Sequence, residues 1–213
     1  MEPDPYKITF ESWNKAAKAY QQKFMDLNMY DASYDFLLSH LEDSRGKILE
    51  LGCGPGNISR YLLKQKPDLK LTGLDISPAM IELAQTNNPG GTFLLGDCRN
   101  LSIFKESFDG VVAGFVLPYL SKIDSEKMIE QISRKLSSNG LFYLSFVEGE
   151  ENESGYMTGS TGDAVYFYYY KEQPLVLVLK SFGFEILNVM REQWPDKPVD
   201  EHPHVMIIAR KIN

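Results

Sequence analysis

The fold of this chain is decided by ten residues, Ile48-Leu49-Glu50-Leu51-Gly52-Cys53-Gly54-Pro55-Gly56-Asn57. An apolar run with one acidic residue breaks into three glycines at alternate positions, and helix-compatible sequence follows over 58–66. This order predicts a strand, a tight turn and a helix N-terminus. Glycine lets the turn approach a ligand closely because it has no Cβ, and the free N–H groups of the helix's first turn then face that ligand. The stretch predicts the first loop of a site for a nucleotide-like cofactor.

Strand and helix patterns alternate on both sides of this loop. Apolar runs predict strands at 47–51, 69–76, 92–95, 108–116 and 141–147, and amphipathic or capped segments predict helices at 58–66, 78–87 and 124–136. In the last of these helices, Asp124 is the predicted cap. Strands separated by helices of this length imply a parallel, doubly wound sheet.

The two ends of the chain follow a different pattern. Residues 5–45 predict two amphipathic helices that cap a core over 46–147, and 173–213 predict a helix followed by an antiparallel strand pair. The polar segment 148–172 lies where an α/β fold places its ligand-facing loops, and a lid or insertion and a plain surface loop both stay open for it. At 213 residues, the chain is predicted to form a single domain, 1–213.

Composition excludes several classes of protein. The net charge of −7, without any basic run, argues against a nucleic-acid partner. The two cysteines, Cys53 and Cys98, have no partners at metal-ligand spacing, so no metal site is expected. Both are expected to be reduced thiols in a cytoplasmic protein. The acidic, proline-rich start is unlike a signal peptide, and the most apolar run, 111–120, is too short to span a bilayer. A soluble, cytoplasmic protein without membrane attachment is predicted.

The spacing of the glycines narrows the identity of the cofactor. The nicotinamide fingerprint GxGxxG needs its third glycine at position 57, which is Asn57, so an oxidoreductase of that type is disfavoured. An acidic residue followed by G-x-G-x-G resembles the first motif of the class I S-adenosylmethionine-dependent methyltransferases. The resemblance implies a Rossmann-like, doubly wound, seven-stranded sheet that is mostly parallel with an antiparallel last strand. It also implies that S-adenosylmethionine contacts Glu50, Gly52, Cys53, Gly54, Gly56 and Asn57.

Two further carboxylates follow at the ends of the next strands. Asp75, with Ile76 after it, lies 21 residues beyond Gly54, where a carboxylate can accept hydrogen bonds from both hydroxyls of a ribose. Ser77 competes with Asp75 for the role of helix cap. The resemblance implies that Asp97 accepts from the adenine amine and that the backbone of Cys98 reaches the ring.

The fourth strand ends in Phe115-Val116-Leu117-Pro118-Tyr119. The resemblance places this end beside the sulfonium and the acceptor, with Phe115 against the cofactor. The stretch lacks the polar residue of enzymes that methylate nucleobases or glutamine, and it has no histidine to serve as a base. The acceptor-facing candidates are Tyr20, Tyr119 and Glu148, together with the aromatic run 166–170. His202 and His204 are interpreted as part of a loop that enters the last strand.

The sequence thus predicts transfer of a methyl group from S-adenosylmethionine to a small-molecule acceptor. The enzyme's main task is to hold the nucleophile, the methyl group and the sulfur in line, and a base is needed only if the acceptor must lose a proton. A binding module that has kept the cofactor site and lost catalysis is the alternative. The acceptor, the methylated atom and the oligomeric state stay open.

Overall fold

The computed structural model describes residues 5–42, 45–158, 162–195 and 201–212. Six α-helices lie within these ranges: α1 Pro5–Phe24, α2 Asp31–Ser39, α3 Asn57–Gln65, α4 Pro78–Asn87, α5 Lys122–Lys135 and α6 Glu172–Ser181. Nine strands lie within the same ranges: β1 Lys47–Leu51, β2 Lys70–Asp75, β3 Thr92–Leu95, β4 Phe108–Ala113, β5 Leu136–Val147, β6 Gly155–Thr158, β7 Ala164–Phe167, β8 Phe184–Glu192 and β9 His204–Lys211.

Seven of the strands form one sheet in the order β3-β2-β1-β4-β5-β9-β8. The first five in this order run parallel to one another, and β9 is antiparallel to both of its neighbours, β5 and β8. The predicted Rossmann-like fold and its antiparallel strand pair are therefore confirmed. Chain order reverses between β1 and β4, and open sheets of this kind bind ligands at that point, outside the carboxyl ends of the strands.

The central strands are buried on both faces. Leu49, Leu51, Val111 and Val112 each have a relative exposure of 0%, as expected for parallel strands that carry helices on both sides. Two separate clusters of buried apolar side chains cover the two faces of the sheet. This packing holds the carboxyl ends of β1, β2 and β4 in fixed positions.

Helix α1 lies across the carboxyl edge of the sheet and caps it, as predicted. On one side, Asn14 Oδ1 accepts hydrogen bonds from Ser77 Oγ at 2.8 Å and from Ala79 N at 3.0 Å, at the start of α4. On the other side, Ser12 Oγ donates to the carbonyl of Ala164 at 2.7 Å. The segment that contains Ala164 is a hairpin of β6 and β7, so the predicted lid or loop is an ordered strand pair against α1.

Three predicted boundaries are wrong for local reasons. Strand β4 ends at Ala113 instead of continuing to 116, because Phe115 adopts a φ of +53° and turns the chain out of the sheet. Ser121, not Asp124, caps α5: its Oγ accepts from Asp124 N at 3.2 Å, which places Asp124 in the first turn. Strand β5 begins directly after α5, at Leu136, instead of at the predicted position 141.

Some predicted features lie partly outside the described residues. These are the acidic start of the chain, residues 159–161 of the polar segment and residues 196–200 before the last strand. None of the helices within the described ranges combines the length and the hydrophobicity that a membrane crossing requires.

Candidate functional site

The glycine loop between β1 and α3 has a left-handed backbone, which explains its composition. Gly54 and Gly56 have φ values of +54° and +82°, a region that glycine enters without strain. A Cβ on Gly56 would lie 2.2 Å from Asn88 Nδ2, so this position is closed by packing. A Cβ on Gly54 would meet its nearest neighbour, a ring carbon of Tyr20, only at 3.8 Å. The backbone at Gly54 therefore faces open space.

Asp75 joins the glycine loop to the end of β2. Its carboxylate accepts from the N–H of Gly54 at 2.8 Å and from the N–H of Ser77 at 2.9 Å. Burial raises the pKa of Asp75, and the backbone donors oppose that shift. Two motifs that are separated in the sequence thus meet through one carboxylate, which keeps unused lone pairs for a ligand.

Asp97 follows β3 and is engaged by a residue that sequence reasoning missed. Arg99 Nε donates to both carboxylate oxygens of Asp97, at 3.0 and 2.9 Å, and its guanidinium lies 4.1 Å from the centre of the Tyr6 ring. The hydrogen bond with Asp97 is the main cause that raises the pKa of Arg99. The pair ties the end of β3 to the first turns of α1.

Glu50 is buried at the end of β1, with 1% of its surface exposed. It accepts a hydrogen bond from Ser59 Oγ on α3. Burial is the largest cause that raises its pKa to about 8, and nearby Asp75 adds to the shift. A carboxylate this poorly solvated favours a cation beside it.

Two cavities meet above these residues. The smaller, of about 120 Å³, is lined by Asp75, Ile76, Asp97 and Cys98 among others. The larger, of about 580 Å³, is lined by Glu50 and Asn57 among others. Both are lined by Trp13, Tyr20, Gly52, Gly54, Gly114, Phe115 and Tyr119, which form the neck between them.

The remaining predicted site residues lie elsewhere. Cys53 and Gly56 lie behind the loop: Cys53 is buried, and its N–H donates to the carbonyl of Leu74 at 3.1 Å. Glu148 directly follows β5, and its carboxylate reaches the start of α6, where it accepts from Glu172 N at 3.0 Å and faces Arg191 Nη2 at 3.7 Å. Of the three catalytic candidates, Tyr20 and Tyr119 line both of these cavities and Glu148 lines neither.

Both thiols are chemically quiet. Burial raises the pKa of Cys53 well above its usual value and that of Cys98 to about 12. Neither forms a thiolate at neutral pH. Within the described ranges, no group of three or more His, Cys, Asp or Glu side chains could hold a metal ion.

The wall of the larger cavity is mostly aromatic. Of the run 166–170, Phe167 and Tyr169 line it, whereas Tyr170 is buried and donates to the carbonyl of Leu120 at 2.6 Å. Trp13 stands edge-on to Tyr20 and Tyr119. Its indole Nε1 is buried and has no hydrogen-bond partner in the part of the chain that the structure describes.

A polar pair on this wall has no counterpart among the predicted residues. Tyr30 Oη, just before α2, lies 2.6 Å from Nδ1 of His204, the first residue of β9. Burial lowers the pKa of His204 to about 4 and raises the pKa of Tyr30, so both are neutral at pH 7. The sequence assigned His204 to a loop, but the fold places it, with His202, on the cavity wall.

Comparisons of the sequence and of the fold with known proteins both find methyltransferases. A family model described as a methyltransferase domain matches residues 48–140. The uncharacterized methyltransferase YdaC of Bacillus subtilis is 30% identical over 155 residues, which are 71% of this chain and 79% of that protein. The demethylmenaquinone methyltransferase of Thermotoga maritima is 34% identical over 100 residues, which are 47% of this chain and 43% of that enzyme.

Among solved structures, a methyltransferase of Burkholderia thailandensis has the same fold. This enzyme, 1,6-didemethyltoxoflavin-N1-methyltransferase, was crystallised with its namesake compound and S-adenosylhomocysteine. It superposes with a TM-score of 0.75 at 18% identity, over 100% of this chain and 92% of that one. By contrast, the chain spans half or less of the length of several curated relatives that it matches.

Proposed function

This chain belongs to the class I S-adenosylmethionine-dependent methyltransferases, and we propose that it transfers the methyl group of S-adenosylmethionine to a small-molecule acceptor in the larger cavity. The observation that carries the proposal is the hydrogen bond between Gly54 N and the Asp75 carboxylate. It brings the glycine loop and the ribose-type carboxylate together at the neck of the two cavities.

The residues around the smaller cavity fit the donor chemically. Asp75 would accept from the two ribose hydroxyls, and Asp97 and the backbone of Cys98 would meet the adenine. The open space at Gly54 would take the amino-acid portion close to the backbone. Glu50 supports this arrangement, because burial raises its pKa and a cation bound beside it would stabilise the ionised carboxylate.

The donor supplies an electrophilic methyl group, and the protein's contribution is position and environment. Tyr20, Phe115 and Tyr119 surround the neck, and aromatic faces attract a cationic sulfonium while excluding water. Holding the reacting atoms in line can lower the barrier by roughly 7–11 kcal/mol. Methyl transfer of this kind requires no metal.

The acceptor has to be inferred from this chain's own cavity. Relatives are named for demethylmenaquinone, trans-aconitate and malonyl-[acyl-carrier protein], so their names do not agree on one acceptor. The absence of a basic run in the sequence supports a small molecule over a nucleic acid. The two free cysteines support a reducing, cytoplasmic location, and residues 1–213 are proposed to act as one domain.

Titration calorimetry with S-adenosylmethionine and S-adenosylhomocysteine tests the donor assignment. We expect dissociation constants in the micromolar range for both. If neither compound binds, the proposed function is overturned. Binding without transfer to any compound in a broad acceptor screen would instead favour the inactive binding module.

A further inference from the structure

The Tyr30–His204 pair has no role in holding the donor. We propose that these two residues are the proton-accepting pair of the acceptor site, and that the acceptor is a flat aromatic molecule methylated on a hydroxyl oxygen. This inference rests on the proposed function, because it assigns the second substrate of the same reaction.

The first observation is the position of the pair next to the neck. Phe115 lines both cavities. The centre of its ring lies 5.1 Å from that of His204 and 5.0 Å from that of Tyr30. The pair therefore packs against the aromatic ring that lines the neck, beside the place where the methyl group would be presented.

The second observation is the chemistry of the wall around the pair. Trp194 contacts His204 with ring centres 5.7 Å apart, and further aromatic residues of this wall are Phe24, Tyr119, Phe167 and Tyr169. Faces and edges of aromatic rings select flat, apolar molecules. The unpartnered Nε1 of Trp13 adds one hydrogen-bond donor for an oxygen or nitrogen of a bound molecule.

The third observation concerns charge. The Lys and Arg residues that line the larger cavity are Lys23, Arg60 and Lys64, and all three are exposed. Arg60 is paired with Asp26, and Lys23 lies over the rings of Phe24 and Trp194. Because His204 is neutral, no described cation would balance a carboxylate buried beside the pair. A neutral hydroxyl does not need one.

The proton follows a short path in this geometry. The acceptor oxygen forms a bond to the methyl carbon, the carbon–sulfur bond breaks, and its electron pair stays on sulfur to give S-adenosylhomocysteine. The hydroxyl proton moves to Tyr30 Oη while the proton of Tyr30 passes to Nδ1 of His204, which becomes doubly protonated and later loses a proton to water. The hydroxyl becomes strongly acidic as its oxygen bonds to carbon, so a weak base is sufficient.

The charged and titratable groups around the pair allow this transient charge. Glu192 on β8 is paired in register with His204 on β9, and Tyr20 on α1 faces Tyr30. His202 lies two residues before His204 and stacks on Tyr169. The carboxylate of Glu192 disfavours ionisation of Tyr30, so Tyr30 passes on its own proton as it takes one.

A matched set of compounds and variants tests the proposal. Naphthol, naphthoic acid and decalol share their size but differ in aromaticity and in the group that is methylated. Transfer from donor with a deuterated methyl group is followed by mass spectrometry. Acceptor binding is followed by fluorescence, since both tryptophans of the chain line the larger cavity. We expect O-methylation of naphthol and little or none of the other two.

His204→Gln and Tyr30→Phe are the test variants, with His40→Gln and Tyr156→Phe as controls that lie outside both cavities. Loss of a general base costs about 100-fold or more in kcat/KM, so we expect that loss for His204→Gln and a smaller one for Tyr30→Phe. Affinity for S-adenosylhomocysteine should change less than twofold in all four variants. That measurement also shows that the variants are folded.

The possible failures can be told apart. If the unmodified protein does not bind S-adenosylhomocysteine, the proposed function itself fails. If it binds the product but neither binds nor methylates naphthol, or if it prefers naphthoic acid or decalol, the acceptor assignment is wrong. If His204→Gln methylates naphthol as fast as the controls do, the proton-accepting role is wrong.

Discussion

The two halves of the cleft are built in different ways. The donor half consists of short turns at the ends of β1, β2 and β3, and its main contacts are backbone N–H groups and carboxylates. The acceptor half consists of aromatic rings from α1, the β6–β7 hairpin and the start of β9. A half made of local turns leaves a motif in the sequence. A half made of side chains brought together from distant segments does not.

If this division is real, damage to the donor half should abolish donor binding and leave the acceptor half folded. The largest effect is expected for Asp75→Ala, which removes the carboxylate that would bind the ribose and also holds Gly54 and Ser77. Two hydrogen bonds to a charged group contribute about 1.5–3 kcal/mol each. Calorimetry should show an affinity for S-adenosylhomocysteine that is lower by about 100-fold or more.

Asp163→Ala is a suitable control, because this aspartate pairs with Lys15 on the surface of the hairpin side. Its effect on affinity should be small, since exposed ion pairs contribute about 0–1 kcal/mol. A decrease of less than tenfold for Asp75→Ala would remove this residue from the donor half.

The ionisation of Glu50 provides a second test of the donor half, through the pH dependence of stability. Its folded-state pKa of about 8 lies above the ordinary value of 4.5, so between these values the folded protein binds more protons than the unfolded chain. Stability without ligand should therefore fall as pH rises through that range and level off above about 8. Glu50→Gln keeps a hydrogen-bond acceptor for Ser59 and removes the titration.

Urea unfolding at pH 5.5 and 7.5 measures this effect. Between pH 5.5 and 7.5, the unfolding free energy of the unmodified protein should fall by about 2 kcal/mol more than that of Glu50→Gln, since each unit of pKa shift corresponds to about 1.4 kcal/mol. Parallel pH dependences would mean that Glu50 is ionised in the folded state without a partner cation.

Gly54→Ala examines the contact between the two halves. The left-handed backbone at Gly54 costs an alanine about 1 kcal/mol of stability, but the protein leaves room for the methyl group, whose nearest neighbour is 3.8 Å away on Tyr20. The methyl group instead takes space that a bound donor needs, so we expect roughly tenfold weaker binding of S-adenosylhomocysteine.

Gly90→Ala provides the comparison, because a Cβ there meets nothing within 4 Å. It should change neither stability nor affinity appreciably. Equal affinities of Gly54→Ala and Gly90→Ala would show that the donor does not approach the loop at Gly54.

The same division explains what the sequence could predict. Glu50, Gly54, Asp75 and Asp97 were identified because each lies at or next to the end of a strand, where short local motifs carry the resemblance to the family. The parallel, doubly wound sheet followed from alternating strands and helices, whereas the order of its strands is known only from the structure. The sequence could not show that Phe115 would end β4 early, since its left-handed backbone is imposed by surroundings that include the Ser145 hydroxyl, 2.9 Å from its N–H.

Most of the acceptor half was not predictable in this way. Tyr30 and His204 are 174 residues apart and meet only because β9 returns to lie between β5 and β8. Glu148 was a reasonable candidate by position after β5, but the nearby start of α6 uses its carboxylate. Tyr119 was found by its place after the fourth strand, whereas Tyr20 was proposed as an aromatic side chain of the N-terminal helix without a motif to locate it.

Trp13 lies on the boundary of the two halves and gives the smallest expected effect. A buried N–H group without a partner costs about 1–3 kcal/mol, so Trp13→Phe removes that cost together with some packing. The free energy of thermal unfolding without ligand should therefore change by less than about 1 kcal/mol.

Binding is the second measurement on Trp13→Phe. A molecule that accepts a hydrogen bond from Nε1 should lose about 1 kcal/mol of binding free energy in this variant, or roughly fivefold in affinity. Calorimetry with S-adenosylhomocysteine alone, and then with naphthol added, assigns the effect to one substrate. A loss for the first ligand places Trp13 in the donor half, and a loss only for the second places it in the acceptor half. Unchanged affinities for both would mean that Nε1 meets neither substrate, and that the neck is shaped by the indole ring alone.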